Sequence, residues 1–179
     1  MAKDAAVSDE LAKKFASEKD SAYLRFVRND GLDIISAHYV PNLRTVDLKP
    51  WPRRDASGVY INHEASRFSN DCYVCEIAPG KKLDPAHHLY EDMLLILSGR
   101  GSTTVWNNFG ARITFEWKAG SIFAIPLNCW YQHFNGSGRE PVRFVAVTNA
   151  PSVINGRLTA SGTKLVRSRK PSCSPLDEK

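Results

Sequence analysis

The stretch Pro79-Gly80-Lys81-Lys82-Leu83-Asp84-Pro85-Ala86-His87-His88-Leu89-Tyr90-Glu91-Asp92-Met93-Leu94-Leu95-Ile96-Leu97-Ser98-Gly99-Arg100-Gly101 decides how the rest of the chain is read. It sets two adjacent histidines and two adjacent acids between a Pro-Gly turn and a Gly-x-Gly turn. Its apolar run, Met93 to Leu97, leads into the second turn. Successive side chains of an extended segment face opposite sides. His88 and Asp92, four apart, therefore share one face, and His87 and Glu91 fall on the other. A strand that carries several metal-ligating or proton-transferring groups and then enters a core is a place for chemistry.

Outward from this stretch, short apolar runs rich in β-branched and aromatic residues recur from Gly58 onward, each closed by turn residues. They are Val59–Ile61, Cys72–Ile77, Met93–Leu97, Ser102–Trp106, Arg112–Trp117, Ile122–Ile125, Trp130–Phe134 and Val142–Thr148. Strands at this spacing, with no helical pattern between them, argue for an antiparallel sandwich or barrel. The alternation of Arg112, Thr114 and Glu116 with Ile113, Phe115 and Trp117 gives one strand a wet face and a dry face. Trp106, Trp117, Trp130 and Phe134 are read as core rather than as a substrate platform, and Asn128 and Asn135 as turn formers. Parity leaves Arg143 open: it points inward to hold an anion or outward to water.

Upstream, Ser8 to Asp20 reads as a helix, with Ser8 as N-cap and Leu11 and Phe15 on one face. Residues 30 to 57 read as an irregular arm with Pro41, Pro50 and Pro52. Trp51 is its expected anchor, and the arm wraps the core or a partner subunit. Downstream of Pro151 the apolar content fades, and Ser161 to Lys179 has too little to bury to be ordered. The expected organisation is an N-terminal helix and proline-rich arm over 1–57, an all-β barrel over 58–158 and a basic, disordered tail over 159–179.

A chain of 179 residues suggests one domain with a real core. Its 42% hydrophobic and 24% charged content is that of an ordinary globular protein. No apolar run approaches the roughly 20 residues of a membrane helix. No apolar segment precedes Asp9-Glu10, so no secretory signal is seen and a cytoplasmic protein is expected. The net charge is +5, of which residues 159–179 carry +3, so the basicity resides largely in the tail. With five basic residues and no stacking aromatics there, nucleic-acid binding is not expected. Cys72 and Cys75 lie three apart on a strand and face opposite sides, so they cannot easily share a metal. They read as reduced structural thiols.

The central stretch resembles the first motif of the cupin superfamily: a Pro-Gly turn, His-x-His, a Glu four residues on and a Gly seven after that. Counting back from Gly99 puts Asp92 in the Glu place, His88 in the second-His place and Ala86 in the first. The second motif is matched by Gly120, Pro126, Asn128, Tyr131 and Asn135, with Tyr131 where the family has its third His. The resemblance covers roughly residues 58 to 150 and is nearest to small single-domain cupins of type 2. It implies a double-stranded β-helix, or jelly-roll, barrel, and a site where three histidines and a carboxylate hold one divalent metal (Fe, Mn, Zn or Ni).

Only His88 keeps both ligand type and place. His133 lies two residues from Tyr131 and faces inward, but is displaced by about 6.8 Å along the strand. Two readings stand. In one, His88, Asp92 and His133 bind a metal, with Tyr131 and His133 as catalytic groups beside it. The chain is then an enzyme of dioxygenase, decarboxylase or isomerase type acting on a small organic acid or enol. In the other, the chain is a degenerate, non-catalytic cupin that binds a small ligand or a partner protein without metal. The resemblance also implies a homodimer.

Overall fold

The computed structural model describes residues 21–63, 66 and 69–159. The helix expected over Ser8 to Asp20 and the tail expected over 161–179 lie outside these residues.

All eight expected runs are strands. In chain order the elements are α1 (Ala22–Asn29), β1 (Ile34–Ala37), β2 (Lys49–Trp51), a 3-10 turn (Pro52–Arg54), β3 (Ala56–His63), β4 (Asp71–Ile77), β5 (Ala86–His87), β6 (Asp92–Ser98), β7 (Arg100–Trp106), β8 (Arg112–Lys118), β9 (Ile122–Ile125), β10 (Trp130–Asn135), β11 (Val142–Thr148) and α2 (Ala150–Thr159). One sheet runs β1-β3-β4-β11-β6-β9, with β2 also paired to β3. The other runs β5-β10-β7-β8. Every pairing is antiparallel except that of β1 with β3. No helix among the described residues is long and apolar enough to cross a membrane.

The two sheets face each other across one apolar core. Tyr73, Cys75, Ile77, Leu94, Ile96 and Phe144 come from the larger sheet, and Val105, Trp117 and Tyr131 from the smaller. A second cluster lies on the outer face of the larger sheet. There Val59, Ile61, Cys72, Val74 and Val145 are covered by Ile35, Val40, Leu43, Val46 and Leu48 of the arm. Cys75 thus belongs to the inner cluster and Cys72 to the outer one, the opposite facing that strand alternation demands. Burial pushes both thiols up to about 12, so both stay protonated.

The arm is held at two points. Trp51 is fully buried in the inner core, edge-on to Tyr60 and Tyr73. Arg143, whose orientation the sequence left open, faces outward. It pairs with Glu76 at 2.8 Å and donates to the carbonyls of Arg44 and Val46. Helix α1 starts where the Ser21 hydroxyl accepts from Leu24 N at 3.2 Å, an N-cap bond. It buries Tyr23 and Val27. Tyr23 donates its phenol proton to buried Asp71, which also accepts from Thr148 at the end of β11. That carboxyl ties α1 to the larger sheet at the barrel's mouth.

Candidate functional site

The mouth is built by three segments: the β5–β6 connection, the inward face of β10, and the 3-10 turn that follows Trp51. His88 sits in the first. Its Nδ1 lies 2.8 Å from the Tyr90 carbonyl, and its ring stacks on that of Tyr90 with centroids 3.9 Å apart and planes 2° apart. A carbonyl only accepts, so Nδ1 carries a proton and Nε2 of the neutral ring is an acceptor. Nε2 points inward, 3.0 Å from the Tyr131 hydroxyl and 3.3 Å from Asp92 Oδ2.

Asp92, at the start of β6, is almost fully buried. Its Oδ2 accepts from Tyr73 at 3.1 Å and lies 3.5 Å from the Tyr131 hydroxyl. Its Oδ1 has no partner. Burial raises the phenols of Tyr73 and Tyr131 well above the usual tyrosine range and that of Tyr90 to about 12, so all three stay protonated, and those of Tyr73 and Tyr131 serve as donors here.

No local pattern in the chain marks the group that dominates the electrostatics here. Arg54, only 5% exposed, enters the mouth from the 3-10 turn. Pro52 sets that turn and Asp55, with φ of 51°, ends it in the left-handed region. The guanidinium lies over the rings of Trp51 and Tyr73, at 4.7 and 5.1 Å from their centroids. Its Nη1 donates to the Tyr73 hydroxyl at 3.3 Å. Its Nε has no partner, and among the described residues no carboxylate lies within ion-pair distance. Arg53 beside it is instead spent on Asp30, through two bonds of 2.6 and 2.5 Å.

His133 is inward-facing and buried, deeper along β10. Its Nδ1 lies 2.7 Å from the hydroxyl of Thr103, its partner in the β7–β10 register. Trp117 Nε1 donates to that same hydroxyl at 2.8 Å. An indole only donates, so the Thr103 proton must go elsewhere, and among the described residues His133 Nδ1 is its acceptor. His133 is therefore the Nε2–H tautomer, and that proton finds no partner. Burial first, and the Arg54 charge second, push its pKa down to about 3, so the ring stays neutral.

The structure thus brings His88, Asp92 and Tyr131 together and holds His133 on Thr103. His87 and Glu91 are exposed, as alternation requires. His87 Nε2 meets Asn128 Oδ1 at 2.9 Å, and the Glu91 backbone N–H donates to Asn149. Asn128 has φ of 62°, a turn conformation. The expectation for the aromatic residues needs correction. Trp117 is core, but Trp106, Trp130 and Phe134 point to the outer face of the smaller sheet, because Val105, Tyr131 and His133 take the inward parity.

A divalent metal does not fit this arrangement. Ala86, directly opposite Tyr131 in the register, offers no donor. His133 lies deeper along β10, its Nδ1 held on the Thr103 hydroxyl. Asp92 Oδ2 is engaged by phenols, and a fixed guanidinium charge stands beside the position. Among the described residues no group of three His, Cys, Asp or Glu side chains converges.

A cavity of about 380 Å³ opens at this mouth, lined by Phe26, Arg54, Ala86, His88, Tyr90 and Trp130 among others. Another concavity, of about 390 Å³, is lined by Arg100, Glu116, Trp117 and Gly136, and none of the mouth's ionisable groups reaches it.

No protein-family profile and no curated protein matches the chain. Solved structures do. The cupin domain of Schizosaccharomyces pombe Cnp3 is 22% identical with a TM-score of 0.51, over 66% of this chain and 78% of that one. Lactobacillus farciminis oxalate decarboxylase, in a formate complex, is 20% identical with a TM-score of 0.51, over 63% of this chain and 35% of that one. A Drosophila melanogaster CENP-C domain is 10% identical with a TM-score of 0.50, over 61% of this chain and 76% of that one. The chain has the cupin jelly-roll fold that its two motifs led us to expect. Identities this low speak for the fold alone, and the match spans about a third of the oxalate decarboxylase.

Proposed function

We propose that this cupin-fold chain binds a small organic acid in the mouth cavity without a metal, the acid's carboxylate pairing with Arg54. One observation carries the reading: a guanidinium that is 95% buried, borders a cavity, has an unpartnered Nε and, among the described residues, has no carboxylate within ion-pair distance. A buried charge without a counter-charge costs several kcal/mol. A ligand carboxylate offsets that cost and matches the planar donor fork of arginine. Phe26, Tyr90 and Trp130 give the rest of the ligand an apolar enclosure. The single acid in the lining, Asp84, is exposed at the rim, where solvent screens it.

The test is calorimetric titration in EDTA-treated buffer with acetate, pyruvate and benzoate against their amides. Acids should bind, amides should not, and Arg54→Met should abolish binding. Because that variant leaves Asp92 a buried carboxylate without its cation, it should melt lower than the parent, and a parent-like circular dichroism spectrum at the titration temperature separates lost binding from lost fold. Equal binding of acids and amides, or binding that appears only when a divalent metal is added, would overturn the proposal.

A second reading, that the bound acid is also turned over by proton transfer, is favoured by His88. Its Nδ1–H is fixed on Tyr90 and its Nε2 accepts from Tyr131, whose proton can turn to Asp92 Oδ2, 3.5 Å away, and so free Nε2 as a base at the cavity wall. Exchange of the acid's α-hydrogen for deuterium in D2O, lost in His88→Gln, is its expected signature. Binding without any exchange would leave the chain a binder.

A further inference from the structure

The mouth cavity does not end at the barrel's rim. His87 and Trp130, two of its lining residues, begin a row that crosses the outer face of the smaller sheet: His87 on β5, Trp130 on β10, Trp106 on β7 and Arg112 on β8 occupy one register line. The rings of His87 and Trp130 are 5.1 Å apart, and those of Trp130 and Trp106 are 6.4 Å apart with planes within 12°. The Arg112 guanidinium lies 4.9 Å over the Trp106 ring. Trp130 is 37% exposed, and His87 and Arg112 are exposed.

This face differs from an ordinary apolar sheet surface in two respects. It is continuous with a cavity that already holds a buried cation, and its far end carries a second one. Stacking occupies the π-face of a guanidinium and leaves its in-plane N–H donors free. Among the described residues those of Arg112 meet no acceptor. Glu116, the acid of this face, lies two rows away along β8, opposite Ser102. Neighbours in the row cover one another's faces, so the row offers a ribbon of ring edges between two positive ends.

We infer that the acid taken at the mouth is an aryl acid of at least two rings. Its carboxylate sits on Arg54, and its distal ring lies outside the barrel with its face across the exposed edges of Trp130 and Trp106, with Arg112 positioned for a polar substituent at the far end. This rests on the mouth-site reading above and narrows its substrate class. Trp130 lines the cavity and Trp106 does not, so a first ring held in the cavity by its carboxylate leaves Trp106 to a second. Ring contacts of this kind, with the area they cover, are worth about tenfold in affinity.

The experiment compares benzoate, biphenyl-4-carboxylate and the saturated 4-cyclohexylcyclohexanecarboxylate by calorimetry on the full chain, Trp106→Ala and Trp106→Phe. Trp106 is partly exposed on the outer face and outside the core, so both variants should keep the parent's circular dichroism. Biphenyl-4-carboxylate should bind about tenfold more tightly than benzoate. The gain should vanish in Trp106→Ala and persist in Trp106→Phe, while benzoate binds all three proteins alike. Equal affinity for the one-ring and two-ring acids, a gain that survives Trp106→Ala, or tighter binding of the saturated acid would each overturn the inference. If benzoate binds without the gain, the extension alone falls; if no acid binds, the mouth site falls with it.

Discussion

Replacing His133 with glutamine should change how the protein responds to acid more than how it behaves at neutrality. His133 is 1% exposed, its pKa is held near 3, and its unfolded value is 6.5. Between those values the unfolded chain binds a proton that the folded chain refuses, so stability falls as pH drops through 6.5. At pH 5.0 the linkage integral, RT ln(1 + 10^1.5), gives a loss of about 2 kcal/mol from this one side chain. Glutamine does not titrate and still offers Thr103 a carbonyl acceptor. His133→Gln should therefore be less stable than the parent at pH 7.5, by about 1 to 2 kcal/mol for the altered core contacts. That gap should close by about 2 kcal/mol at pH 5.0. Urea unfolding followed by tryptophan fluorescence at the two pH values measures both numbers. Asp71 acts in the opposite sense, since burial raises its carboxyl despite the bonds from Thr148 and Tyr23, but it is common to both proteins and cancels. A gap of unchanged size at the two pH values would mean that His133 titrates normally. The deduction that it is a neutral Nε2–H tautomer bound to Thr103 would then be wrong.

Three other perturbations test the frame around the site. A Cβ on Gly101 would stand 2.1 Å from the Phe134 carbonyl oxygen and 2.4 Å from the Trp117 ring, both fixed parts of the smaller sheet. Gly101→Ala should therefore lower stability by about 3 kcal/mol, read as a fall in melting temperature, and a change within error would contradict the packing described. Tyr23→Phe leaves a buried Asp71 oxygen without its donor and should cost about 2 kcal/mol in urea unfolding. Arg143→Ala cuts the arm's tether at a partly exposed ion pair, so its stability cost should be small, about 1 kcal/mol. Limited proteolysis within residues 38–48 should accelerate clearly in that variant, and an unchanged digestion pattern would show the arm to be held by its apolar contacts alone.

Alternation along strands made much of this legible from sequence: the inward facing of His88, Asp92 and His133, the outward facing of His87 and Glu91, and the split between Cys72 and Cys75. The same rule applied to β10 would have turned Trp130 and Phe134 outward, since Tyr131 and His133 face in. Hydrophobicity argued for the core instead, and parity won. Helix α2 went unread because Pro151 was taken as a stop, whereas proline in a first helical turn loses no hydrogen bond. Arg54 was illegible for a different reason. Arg53 and Arg54 are adjacent in the chain, and nothing local distinguishes the one that pairs with Asp30 at the surface from the one that enters the barrel. That choice is made by Trp51, whose burial aims the next turn, and by tyrosines from β4 and β10 that are distant in sequence.

The direction of the hydrogen bonds also shows that the arm belongs to the site. The Tyr73 hydroxyl has one proton, and Asp92 Oδ2, 3.1 Å away, can only accept it. Tyr73 must then accept from Arg54, which can only donate. One phenol therefore links a cation supplied by the arm to a carboxylate supplied by β6, and fixes the polarity of the chain between them. Removing Arg54 would leave Asp92 as a buried carboxylate among neutral phenols. Removing Asp92 would free the Tyr73 proton to point at the guanidinium and would take away the carboxylate that the cation reaches through this phenol. The two charges are retained together or lost together. A barrel that began at residue 58 would keep β4 to β11 and His88 itself, yet would lack Arg54, the cation on which the proposed acid site rests.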